Sequence, residues 1–228
     1  MDHKLLYSYA GIATHILVQD PEFVILLDVG DGIIRDLLKE KISFPLQVPL
    51  HIFISHGHYD HCGGLFSLLG FLRMIGQTKS VYIYFPENTP EIDIILQSFS
   101  SIYRDTISFN INSNVLYPNS VNKISKTVNV KAFLMKHRGS TLFHGMLPEV
   151  PAYGFAIFRE KEKIIAYTGD TGMNDNLRSL VYNATHAYIE ATNTRSNISS
   201  YHLNIEEAQE LGKLAKSFTL CHTRYDSR

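Results

Sequence analysis

Short apolar-rich runs, some of them alternating with polar residues as 50–54 does, recur along the 228-residue chain. A period of two marks a half-buried strand. The pattern predicts strands at 5–9, 13–18, 24–27, 50–54, 81–85, 128–135, 153–158, 164–167, 187–189 and 218–220. Apolar positions spaced three and four apart predict helices at 33–40, 65–75, 91–98 and 205–216. Strands cluster towards both ends of the chain, with helices between and after them. That order suits an α+β fold in which two mixed sheets pack face to face with helices outside, an αββα sandwich. The stretch 110–123, rich in Asn and Ser around Pro118, reads as the best loop, because these residues favour turns. There is no repeat and no linker long enough to divide the chain, so 1–228 reads as one domain.

Composition changes this picture little. Apolar residues make up 45%, enough for a sizeable core, and the formal net charge of -1 gives no overall basic field for nucleic acid. The longest apolar runs, such as 23–27, are far too short to span a bilayer, and the N-terminus shows no signal-peptide pattern. A cytoplasmic, soluble protein with no membrane partner is the expectation. The two cysteines, Cys62 and Cys221, cannot build a disulfide framework. They read as small buried apolar residues and not as metal ligands.

The chemistry is concentrated after the fourth predicted strand. Ser55-His56-Gly57-His58-Tyr59-Asp60-His61-Cys62 puts four metal-ligand side chains into six residues. Imidazole and carboxylate suit zinc and other borderline metals, and a turn at a strand end can aim all four at one point. One isolated histidine would read as structural; this cluster does not. His3, His15, His51 and His186 lack such context and read as structural or surface residues.

This HxHxDH run resembles the signature of the metallo-β-lactamase superfamily. The resemblance implies that His56 and His58 hold one metal while Asp60 and His61 hold a second. It implies His137, which closes the run 128–136, as the third histidine of the first metal, with His144 as the alternative. Tyr167-Thr168-Gly169-Asp170-Thr171 looks like the family's GDT motif, which makes Asp170 the ligand shared by both metals. His222, after 218–221, would complete the second site.

Three further stretches are similar to the ribonuclease Z-like phosphodiesterases. The first is Asp28-Val29-Gly30, a turn that Asp28 would order beside the metal loop. The second is Ile189-Glu190-Ala191-Thr192, although Ala187 stands near where a histidine is usual. The third is His202, ahead of the helix at 205–216. In that branch the glutamate and the histidine pair, and the histidine assists the leaving oxygen. A carboxylate partner raises an imidazole's pKa, as a general acid needs. By resemblance, Asp60, His202 and Glu190 are catalytic. The implied centre holds two Zn2+, with Mn2+ compatible, and a water shared between them attacks a phosphodiester. The substrate could be an RNA end, a cyclic nucleotide or a small diester.

The chain also departs from this branch. Between 81 and 128 there is no basic, Gly-Pro-bounded arm of the kind that grips transfer RNA. The segment 138–153 is longer than usual and could form a lid, and the tail His222-Thr223-Arg224-Tyr225 is short. Two other readings stay open: a lactone or thioester hydrolase of the same superfamily, and a non-catalytic metal-binding scaffold. Relatives commonly form homodimers. The apolar positions Leu65, Leu68, Leu69 and Leu72 fit either an interface or a core.

Overall fold

The computed structural model describes residues 1–40, 42–138, 151–194 and 201–225. One six-stranded sheet runs in the order β1 (Asp2–Tyr9), β2 (Ala13–Asp20), β3 (Phe23–Leu27), β4 (Leu50–Phe53), β5 (Val81–Pro86) and β6 (Ile111–Leu116). Its first three strands are antiparallel neighbours, and β3 to β6 are parallel. The second sheet runs from β12 (Phe218–Cys221) through β11 (His186–Glu190), β10 (Glu162–Tyr167), β9 (Ala152–Arg159) and β8 (Val128–Met135) to β7 (Val121–Lys123). Here β10, β11 and β12 are parallel and the rest antiparallel.

The layers follow from side-chain alternation along each strand. In β3 every residue is buried, yet the two faces serve different cores. Phe23, Ile25 and Leu27 join Phe53, Phe155, Ile157 and Tyr167 between the sheets. Val24 and Leu26 turn outward, against α1 (Ile33–Lys39), α3 (Leu65–Met74) and α4 (Pro90–Tyr103). The outer face of the second sheet packs on α5 (Asn176–Val181) and α6 (Ile205–Gly212). The result is the expected αββα sandwich of two mixed sheets. Leu65, Leu68, Leu69 and Leu72 are fully buried in the first outer core, so they are core residues and offer no free face.

Two expectations need correction. The supposed loop at 110–123 holds β6 and β7, joined by a turn through Pro118. Both are edge strands with mostly polar, half-exposed side chains, so they carry no apolar alternation to read. Their pairing comes from the sheets, Ile111 beside Val81 and Val121 beside Lys131. The helix expected at 205–216 ends at Gly212, and α4 runs five residues beyond 98. A capping box starts α6: Asn204 accepts from Glu207 N–H while the Glu207 carboxylate accepts from Asn204 N–H. The segment suggested as a lid falls largely on residues 139–150, outside those described, and so does His144. No described helix is long and apolar enough to cross a membrane.

Candidate metal centre

Strand ends bring the candidate residues together. After β4 the chain bends at Gly57 and is extended at His58 (φ -64°, ψ 142°), which brings His58 Nδ1 to 2.9 Å from His56 Nε2. The single turn α2 (Tyr59–Cys62) then wraps Asp60 and His61 around the same point. This turn lies hard against the segment after β3. Val29 N–H donates to the His61 carbonyl at 2.7 Å, and Gly64 N–H to the Val29 carbonyl at 2.8 Å. A Cβ on Gly64 would sit 2.1 Å from the Gly30 carbonyl oxygen, and one on Gly30 would sit 2.2 Å from that of Asp60. Only glycine permits that approach. From the second sheet come His137 after β8, Asp170 after β10, Glu190 at the end of β11 and His222 after β12.

The seven candidate ligands form two groups. His56, His58, His137 and Asp170 present ligand atoms within 4.8 Å of one another, and so do Asp60, His61 and His222; Asp170, His202 and His222 meet the same limit. In the first group His58 Nδ1 lies 2.9 Å from His56 Nε2 and 3.2 Å from His137 Nε2. Their outward nitrogens are committed as donors. Ser55 Oγ gives its only proton to Asp28 and so accepts from His56 Nδ1 at 2.9 Å. His137 Nδ1 faces the Tyr201 carbonyl, which can only accept, at 3.1 Å. The inner nitrogens of His56 and His137 are therefore left as acceptors converging on His58 Nδ1, an arrangement that suits a cation.

The second group is built the same way. His61 Nδ1 donates to Asp28 Oδ2 at 2.7 Å. Thr192 gives its hydroxyl proton to the His222 carbonyl and so accepts from His222 Nδ1 at 2.8 Å. His222 Nε2 then faces Asp60 Oδ2 at 3.0 Å and His61 Nε2 at 3.2 Å. The backbone of His222 is left-handed (φ 51°) and is held by Thr192 and by Ser8 Oγ, which accepts its N–H at 2.7 Å. Gly11 N–H, from the β1–β2 turn, donates to Asp60 Oδ2 at 2.7 Å.

Asp170 lies between the groups, with Oδ2 3.8 Å from His56 Nε2 and Oδ1 3.4 Å from His61 Nε2. Its Oδ1 is buried without a hydrogen bond among the described residues. His222 Nδ1 is 3.1 Å away, but its proton is directed at Thr192. An unsatisfied buried carboxylate oxygen is costly, and a cation would satisfy it. The residues present fit divalent metal.

Electrostatics agree. Burial pushes His56 and His58 down, and takes His137 to about 4, so these imidazoles are neutral at neutral pH and their ligand lone pairs are free. Burial also opposes charge on His61, yet Asp170 and Asp28 carry its pKa well above the ordinary value: this half of the pocket demands positive charge. Against burial, the bond from His222 and the nearby His61 hold Asp60 low; His222 and His61 do the same for Asp170.

His202 stands beside the cluster, its ring 4.9 Å from that of His137, and is 21% exposed. Its Nδ1 meets Glu190 Oε1 at 3.1 Å. Against burial, Glu190 and then Asp170 raise its pKa. Glu190 is fully buried and also accepts from the backbone N–H groups of Thr171, Leu203 and Thr192. Its carboxylate thus ties the His202 ring to the backbone around Thr171, Thr192 and Leu203. Every candidate residue within the described chain is thus brought to one place.

Sequence reading missed Ser55, Thr192, Ser8 and Gly11, which orient the ligands. Only Ser55 carries a signal, its place directly before the histidine run. Neither cysteine is a ligand: Cys62 donates to the Gly57 carbonyl with its thiol pushed up to about 12 by burial, and Cys221 is buried. Of the other histidines, His51 and His15 are buried, while His3 and His186 bond hydroxyls near the sheet edge.

Fold and cluster together define a protein of the metallo-β-lactamase fold with a candidate metal centre between its sheets. The chain belongs to the family described as the Beta-lactamase superfamily domain, whose profile matches residues 25–221. Its curated relatives include proteins named Ribonuclease Z. That of Pyrococcus abyssi is 28% identical over 248 residues, covering 86% of this chain and 75% of the relative. That of Parabacteroides distasonis is 27% identical over 154 residues, covering 67% and 45%. The match to the Phocaeicola vulgatus protein is 36% identical over 93 residues and covers 39% and 29%. The chain thus spans less than half the length of the last two. Among solved structures, human tRNase Z, short form, superposes with a TM-score of 0.75 at 22% identity, covering 98% of this chain and 93% of that one. Zn(2+)-bound PqqB from Methylobacterium extorquens gives 0.72 at 14% identity, covering 98% and 89%. Likenesses at these identities establish the fold.

Proposed function

We propose that this protein hydrolyses phosphodiesters at a two-metal centre. The observation that carries the reading is two adjacent ligand groups with Asp170 between them, 3.8 Å from His56 Nε2 and 3.4 Å from His61 Nε2, and a carboxylate-held imidazole at their side. His56, His58, His137 and Asp170 would hold one ion, and Asp60, His61, His222 and Asp170 the other. Zinc is the proposed metal, and manganese is compatible because an all-nitrogen-and-oxygen site selects weakly. When bound, such ions supply Lewis acidity to phosphate oxygens and lower the pKa of a water shared between them.

The chain's own groups do the rest. Glu190 fixes the His202 ring through Nδ1, which leaves Nε2 for the substrate side. Its raised pKa lets His202 keep a proton near neutral pH and offer it to the leaving oxygen. Asp60 enters as a ligand, oriented by Gly11 N–H, which donates to its Oδ2. Glu190 is a positioning residue. The names of the relatives favour an RNA end as substrate, with cyclic nucleotides and small diesters as simpler alternatives.

A substrate panel tests this. Protein loaded with two equivalents of Zn2+ or Mn2+ should cleave bis(p-nitrophenyl) phosphate and RNA carrying a 3′ extension, and leave lactones and thioesters intact. Cleavage of lactones or thioesters alone would instead assign carboxylic-ester chemistry.

A further inference from the structure

One buried carboxylate joins the two halves of the candidate centre. Asp28 follows β3 in a left-handed conformation (φ 60°), with its side chain out of solvent. Its Oδ1 accepts Ser55 N–H at 2.7 Å. Its Oδ2 takes three donors: Ser55 Oγ at 2.9 Å, His61 Nδ1 at 2.7 Å and the Tyr167 hydroxyl at 2.5 Å. Ser55 in turn accepts from His56 Nδ1 at 2.9 Å. His56 belongs to one ligand group and His61 to the other. Both answer to the orientation of Asp28.

Tyr167 supplies the remaining constraint. It is buried on β10, three residues before Asp170, so its bond to Asp28 ties the strand that delivers the shared ligand to the opposite sheet. With Tyr167 and Ser55 in place, Oδ2 cannot turn from His61 without breaking two other hydrogen bonds.

We propose that Tyr167 is a positioning residue for the metal centre: through Asp28 it holds His61, and through Asp28 and Ser55 it holds His56, with Nδ1 protonated and Nε2 turned inward. The inference rests on the two-ion reading above. Groups that hydrogen-bond a metal-ligating histidine fix its tautomer and ring orientation, and their loss typically weakens metal binding 10–100-fold. Tyr167 lies one step further out, so its removal should cost about tenfold, near the low end of that range. Unlike the loss of one ligand, it should weaken both ions.

The test uses Tyr167→Phe, which keeps the ring and removes only the hydroxyl. Tyr153→Phe is the control: Tyr153 is equally buried between the sheets, but its hydroxyl has no hydrogen-bond partner among the described residues. Co2+ affinities are read by competition with a chromophoric chelator, and ligand geometry by the visible Co2+ spectrum. Wild type and Tyr153→Phe should bind two ions alike. Tyr167→Phe should bind both about tenfold more weakly, with an altered spectrum. Ser55→Ala, which removes the acceptor of His56 and one of the bonds that hold Asp28, should weaken the ion at His56 more than the ion at His61, and the double variant should lose less than the sum because both act through Asp28. If Tyr167→Phe matches wild type within twofold at both sites, the proposal is overturned. If it fails to fold, unaltered Co2+ binding by Ser55→Ala overturns the relay instead. A wild type that binds a single ion defeats the two-ion reading, and the proposal falls with it.

Discussion

His202 is the residue on which the proposed chemistry turns. It is partly exposed beside the ligand groups, and Glu190 holds its Nδ1. General acid catalysis by a positioned side chain is worth about 10²–10⁴-fold. His202→Ala should therefore lower kcat on a diester by roughly that factor while metal stoichiometry stays at wild-type level; equal kcat would remove it from the mechanism. Thr192 is a different case. Its hydroxyl bonds His222 alone among the described residues, accepting from Nδ1 and donating to the carbonyl, so Thr192→Val should weaken one metal ion by about tenfold or more in chelator competition and spare the other. The contrast explains what was legible in the sequence. His56, His58, Asp60 and His61 are rare residue types at close spacing, and His137, Asp170 and His222 each close a strand. Ser55 and Thr192 are common residues whose partners are set by the fold. Thr192 and His222 are 30 positions apart, and no pattern in sequence announces their contact.

At the scale of elements, the metal loop depends on two backbones touching. Gly64→Ala would force a Cβ to 2.1 Å from the Gly30 carbonyl, in a contact between backbones that neither can relieve by changing rotamer. The variant should lose several kcal/mol in urea melts, on the order of other overpacked sites, or bind metal poorly; wild-type values for both would show that the loop can move. Strand β4 carries a second prediction. His51 is buried beneath Tyr82 and Tyr84, and burial lowers its pKa to about 4. Between that value and the unfolded value near 6.5 the unfolded chain binds the extra proton. The neutral ring's contribution is complete above about pH 6.5 and is lost as pH falls towards 4, some ~3 kcal/mol at most. His51→Phe should flatten the fall in stability between pH 6.5 and pH 4 by that order; an unchanged slope would mean that the ring titrates normally. The buried strands were legible because both of their faces are apolar. The edge strands β6 and β7 were not, since only their neighbours in the sheets distinguish them from loop.

For the whole molecule, the centre is a seam between the sheets. The first sheet supplies His56, His58, Asp60 and His61, and the second supplies His137, Asp170 and His222. Metal held there would cross-link the sandwich. Each ion at about 100 times its Kd adds roughly 2.7 kcal/mol, so chelation should lower Tm on the order of 10 °C, and re-addition of Zn2+ should restore it. Removal of metal without a shift in Tm would place the ions elsewhere. The most direct test of the central claim is turnover of bis(p-nitrophenyl) phosphate by wild type, His202→Ala and His61→Ala, with bound metal counted in the same samples. Wild type should carry two ions and turn over. His202→Ala should carry two ions and be nearly inactive, and His61→Ala should lose metal and activity together. Two ions in a wild type that leaves the diester untouched would contradict the account.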